Sequence, residues 1–246
     1  MYNVIHSHNA ALLANAFPML LRLFDNLFSM SAMTHTEALP QAAAEPYCLN
    51  AETHARLSKE DINELPLFHY TGRISLIRNA RELDGAMERL RAETVLGFDT
   101  ETRPSFSKGK SHSPSLIQLA GESEVFLFHL KWLPLGPELI SLFENPAVIK
   151  TGVAVHDDMR FLTKLTPFTP RSVIDLSTVA RKNRIENHGL RGLAASFLGV
   201  RISKNEQCSN WANKELSPRQ IRYAATDAWA SRALYLRMLE SGLVFS

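Results

Sequence analysis

The chain has 246 residues, 45% hydrophobic and 21% charged, with a formal net charge of +2. That balance excludes a disordered chain, and no apolar stretch runs uninterrupted for the length of a membrane span, so no membrane role is expected. Two cysteines, Cys48 and Cys208, exclude a disulfide framework and fit a reducing, cytoplasmic compartment, while a pI near 8.6 permits a polyanionic partner without requiring one.

Residues 1–60 read as an N-terminal extension and linker, and residues 61–246 as a single domain. In the extension, Leu13, Phe17, Leu20, Leu21, Phe24, Leu27 and Phe28 follow helical spacing, without the basic lead of a signal peptide. This is either an amphipathic docking helix or a segment upstream of a true start at Met30 or Met33. Small and polar residues from Ser31 to Glu45 suit a linker.

The charged stretch Leu57 to Leu65 predicts a short helix or turn. Tyr70 to Ile77 reads as a strand, and Ala80, Leu83, Ala86, Met87 and Leu90 give helical spacing over 78–93. Next comes Val95-Leu96-Gly97-Phe98-Asp99-Thr100-Glu101, an apolar strand ending in two carboxylates. Strand side chains alternate, so Asp99 and Glu101 share a face. Either the strand has simply reached solvent, or the pair binds a hard cation that relieves the repulsion.

A polar loop with Lys108, Gly109 and Lys110 follows. Strands at 115–120 and 124–130 are joined by a hairpin turn at Gly121-Glu122-Ser123. After a Pro-rich turn, residues to Phe143 read as helix and Ala147 to Val155 as a strand. A short helix then runs to Leu165, where Asp158 shares the face of Phe161, Leu162 and Leu165. Asp157, off that stripe, is assigned to the N-cap and Asp158 to chemistry. Ser172 to Leu176 is a further strand running toward a helix. The chain is helical after Gly189, apart from a loop over 200–217. The last helix has a capping box, Ser217 with Gln220, then Pro218 at its first position, and Gly242 to end it. Its Tyr223 and Asp227 lie one turn apart on one face. Strands early and helices late predict one mixed sheet flanked by helices.

Asp99, Glu101, Asp158 and Asp227 are thus turned inward. Four carboxylates match the charge of two divalent cations, a pair that serves in-line phosphoryl displacement. Tyr223 is placed to hold a water.

Three stretches carry a family resemblance: Phe98-Asp99-Thr100-Glu101, Gly152 through Asp158, and Tyr223-Ala224-Ala225-Thr226-Asp227-Ala228. They resemble the three exonuclease motifs of the DEDD superfamily. In particular they are similar to its Tyr-bearing subgroup, which includes ribonuclease D and the Werner-syndrome exonuclease domain. Lys108-Gly109-Lys110, Leu116-Ile117-Gln118-Leu119 and Leu193 through Trp211 extend the match, which covers about Tyr70 to Leu239. The resemblance implies a ribonuclease-H-like α/β fold. It implies 3′→5′ removal of nucleotides from single-stranded or 3′-ended DNA or RNA, with two Mg²⁺ or Mn²⁺ ions held by Asp99, Glu101, Asp158 and Asp227. Tyr223 would orient the attacking water. Thr100, Lys108, Lys110 and Trp211 are candidate substrate contacts: the lysines for phosphates, and Trp211 for stacking on a base or as an anchor in the core. The alternative is a catalytically silent nucleic-acid-binding or scaffold protein on the same fold.

Overall fold

The computed structural model describes residues 56–105 and 112–244. The docking helix and linker expected before residue 46, and Lys108 and Lys110, lie outside these residues. Eight strands are seen: β1 (Leu67–Phe68), β2 (Arg73–Ile77), β3 (Val95–Thr102), β4 (Pro114–Ala120), β5 (Glu124–His129), β6 (Ile149–Gly152), β7 (Val173–Asp175) and β8 (Arg201–Ile202). Six of them form one sheet in the order β2-β5-β4-β3-β6-β7. β3, β4 and β5 are antiparallel neighbours, while β2, β6 and β7 pair in parallel, so the sheet is mixed as expected.

Seven helices are described: α1 (Lys59–Glu64), α2 (Ala80–Leu90), α3 (Pro137–Glu144), α4 (Val155–Leu165), α5 (Leu176–Lys182), α6 (Leu190–Leu198) and α7 (Pro218–Glu240). No described helix is long and apolar enough to cross a membrane. The alternation of β3 divides the helices into two layers. Leu96 and Phe98 enter one core with Leu83, Met87 and Leu90 of α2 and Phe143 of α3. The opposite face meets α7. At Gly97 an added Cβ would lie 2.0 Å from the Ala228 carbonyl oxygen, so only glycine lets α7 sit this close on the sheet.

α7 holds its predicted limits. The Ser217 hydroxyl accepts from the Gln220 N–H at 3.2 Å, and the Gln220 side chain accepts from the Ser217 N–H at 3.0 Å. Gly242, at φ +70°, follows the helix end in the left-handed conformation.

Three expectations change. The domain boundary between 60 and 61 falls inside α1, whose capping box joins Ser58 to Asp61. Leu57 is also tied to Asn187 by two hydrogen bonds of 2.9 and 3.0 Å, so the domain includes Leu57. The strand expected to run to Val155 stops at Gly152. Ala154 takes the left-handed conformation (φ 62°) and starts α4 as its N-cap. The loop over 200–217 contains β8, which pairs in parallel with β1.

Candidate active site

β3 and α7 bring the carboxylates together. Ligand oxygens of Asp99, Glu101 and Asp227 all lie within 4.8 Å of one another. The close approach at Gly97 fixes this, because it lays α7 across the face that carries Asp99 and Glu101. Tyr223 lies one turn before Asp227, its hydroxyl near enough to that carboxylate to pull the Asp227 pKa down.

Asp158 arrives from the other layer. Thr100 alternates with Asp99 and Glu101, so its side chain points toward α4. There its hydroxyl donates to Asp158 Oδ1 at 2.6 Å. The turn at Ala154 sets where α4 begins, and Asp175 braces that turn by accepting from the Ala154 N–H at 3.3 Å. The same carboxylate caps α5 through the N–H groups of Ser177 (2.9 Å) and Thr178 (3.2 Å). A carboxylate followed two and three residues on by Ser and Thr at a helix start is a readable N-cap signal, yet the bracing of Asp158's turn is long-range.

Three of the expected residues play other parts. Asp157 does not cap α4; it is 67% exposed and pairs with Arg160 at 2.9 Å. The helix begins three residues earlier than its apolar stripe suggests, which moves Asp157 from the cap to the third helical position. The Thr100 hydroxyl donates to Asp158 and so helps to place that acid. Trp211 is wholly buried, with its ring 6.0 Å from that of Tyr223. No face is left for a base, so it anchors the core beneath α7.

Electrostatics set the acid cluster apart. Among the described residues, no ion pair reaches Asp99, Glu101, Asp158 or Asp227. Burial, and then repulsion from Asp158 and Asp227, push Asp99 well above the usual carboxylate range. Glu101 is raised to about 10 by burial and by Asp99, Asp227 and Asp158. Burial raises Asp227 to about 7 against the opposing Tyr223 bond, and Asp158 to about 6 against the Thr100 bond. The Tyr223 hydroxyl is also raised, by burial and the neighbouring acids, so it remains a donor. Oxygen-only donors, clustered and uncompensated, fit a hard divalent cation.

A cavity of about 570 Å³ opens onto these groups. It is also lined by Lys59 and Ile62 of α1, His188 to Gly192 at the start of α6, and Ser203, Lys204 and Gln207 after β8, none of them among the expected site residues. Lys59, Arg191 and Lys204 bring basic side chains to this lining, alongside Glu186.

A mixed sheet carrying acids on its central strand, with a fourth acid on α4 and a Tyr/Asp pair on α7, defines a 3′→5′ exonuclease domain of ribonuclease-H-like fold. Residues 74–242 match the family described as 3'-5' exonuclease, and the chain belongs to that family, within the DEDD superfamily. It is 32% identical over 186 residues to the Mus musculus bifunctional 3'-5' exonuclease/ATP-dependent helicase WRN, covering 72% of this chain and 13% of that protein. It is also 32% identical over 173 residues to ribonuclease D of Gluconacetobacter diazotrophicus, covering 67% and 42% respectively. The chain thus spans less than half the length of either relative. In fold it is similar to Escherichia coli RNase D, with a TM-score of 0.62 at 23% identity over 69% of this chain and 45% of the other.

Proposed function

We propose that this protein removes nucleotides from the 3′ end of a nucleic-acid strand by divalent-cation-dependent phosphodiester hydrolysis. The observation that carries this reading is the uncompensated cluster of Asp99, Glu101 and Asp227 within 4.8 Å, lining a cavity that also carries basic side chains. Asp99, Glu101 and Asp227 would hold the cation, and Asp158 completes four carboxylates, enough for a second. Mg²⁺ or Mn²⁺ suits such donors, and when bound supplies an activated water and stabilises the leaving oxygen.

The chain's own groups do the rest. Tyr223 lines the cavity beside Asp99, Glu101 and Asp227, where its hydroxyl orients the attacking water. Thr100 and the Ala154 turn hold Asp158 in place. Lys59, Arg191 and Lys204, which line the same cavity, meet phosphates of the incoming strand. A catalytically silent binder is disfavoured, since all four acids and the tyrosine are present and three of the acids lie within 4.8 Å of one another.

The test is digestion of single-stranded and duplex DNA and RNA, labelled at the 5′ or the 3′ end, with Mg²⁺, Mn²⁺ or chelator. A ladder shortening from the 3′ end, abolished by chelator, is expected. Cation-independent cleavage, or binding without cleavage, would overturn the proposal.

A further inference from the structure

Gln118 sits in the middle of β4, wholly buried, and neither its amide nitrogen nor its carbonyl oxygen has a hydrogen-bond partner. Burying an unsatisfied amide is costly, so a fold keeps one there only for a reason. Its position suggests the reason. In the β3–β4 ladder Gln118 lies directly opposite Asp99, and opposed residues in an antiparallel pair point to the same face. That face is the one covered by α7, where the acids gather.

The donors and acceptors complement one another. The Asp99 carboxylate only accepts when ionised, and its Oδ1 takes one bond, from the Thr100 N–H at 2.9 Å. The Gln118 amide offers N–H donors. Its carbonyl oxygen needs a donor in turn, and Trp211 has an indole N–H that is buried and without a partner. Trp211 packs in the same cluster as Leu116 and Ala120, the residues that flank Gln118 on this face. The group is neutral, so it braces the carboxylate without competing for a cation, as a lysine would.

We infer that Gln118 is a positioning residue for Asp99: its buried amide, without a partner in the metal-free chain, donates to that carboxylate when the cation is bound, with the Trp211 indole behind it, and so orients it toward the cation. The inference rests on the cation-site reading above. Groups that orient a metal-binding side chain commonly change affinity or activity by roughly 10–100-fold when removed.

The experiment compares the parent, Gln118→Met, Asp99→Asn and the double variant, all as full chains freed of metal by chelator. Thermal unfolding, Mn²⁺ titration and single-turnover cleavage are measured on each. Methionine keeps the length and removes both polar atoms, so Gln118→Met should unfold at the parent temperature or above. Its Mn²⁺ dissociation constant should rise roughly 10–100-fold, with a parallel fall in cleavage. In the Asp99→Asn background the Gln118 change should cost nothing further, because the group it positions is gone. Parent-like Mn²⁺ affinity in Gln118→Met would overturn the inference while leaving the cation site standing. So would failure of that variant to fold, since the amide would then belong to the fold's own bonds. A parent that binds no Mn²⁺ would instead remove the cation-site reading itself.

Discussion

Glu101 and Glu124 are both buried glutamates of the same sheet, and they are handled in opposite ways. Glu124, at the start of β5, meets Arg73 at 3.1 Å and Arg89 at 2.9 Å and also accepts from the Ser75 hydroxyl. Those contacts tie β2, α2 and β5 together. Glu101 faces two more carboxylates, and among the described residues no cationic side chain pairs with it. The fold compensates a buried carboxylate where the charge serves structure. It leaves the charge uncompensated where a ligand is to supply the balance, at a cost the rest of the core must offset.

Substitution at the two sites should therefore separate activity from stability. Asp99→Asn should lower cleavage on the order of 10⁴-fold, because cation binding stabilises several kcal/mol of developing charge. The metal-free variant should be as stable as the parent or more so, since one member of a repelling cluster is gone. Glu124→Gln should do the reverse. Activity should stay within a few-fold, while urea unfolding should show a loss of about 1–2 kcal/mol. That loss is kept modest by the exposure of Arg73 (68%) and Arg89 (43%). Equal activity losses in the two variants would dissolve the distinction.

Tyr223→Phe sharpens the comparison within the site. It removes one oxygen and keeps the ring against Trp211. Cleavage should fall roughly 10²–10³-fold with near-parent Mn²⁺ affinity, as measured by single-turnover digestion and metal titration. Loss of metal binding would show that the hydroxyl supports the cluster rather than the water.

A smaller effect is expected from pH. The cluster acids have raised values: about 6 for Asp158, about 7 for Asp227 and about 10 for Glu101. The unfolded chain releases the same protons near pH ~4. In that window the folded state binds more protons, so metal-free stability should fall as pH rises. Melting temperature should drop between about pH 5 and about pH 8, and the gain from Mn²⁺ should grow over the same range. A flat profile in the metal-free parent would mean that the acids are already compensated. Asp157→Ala marks the small end: the exposed pair with Arg160 contributes about 0–1 kcal/mol, and cleavage should change less than twofold.

Much of this site was legible because its signals are local. Strand alternation put Asp99 and Glu101 on one face, and the capping box at Ser217 fixed the phase of α7 and so the stacking of Tyr223 on Asp227. What escaped depends on contacts between distant segments or on unusual backbone. Ala154 adopts a left-handed conformation without being glycine, so nothing in the residue type announces the turn that starts α4. The strands Leu67–Phe68 and Arg201–Ile202 are too short to show a period, and they find each other only in the fold. Trp211 reads equally as an exposed stacking platform or a core anchor, and only tertiary packing decides for the core. Gln118 stood in plain view between apolar neighbours, but its role depends on the β3–β4 register that sets it opposite Asp99.

The central claim, that Asp99, Glu101 and Asp227 wait partly protonated for a divalent cation, is tested most directly by calorimetric titration of Mn²⁺ into chelator-stripped protein at about pH 7. Runs in buffers of different ionisation heat count the protons exchanged. Binding with net proton release is expected, as the raised carboxyl groups ionise around the cation, with loss of both signals in Asp99→Asn. Absence of binding, or binding without proton release in the parent, would contradict it.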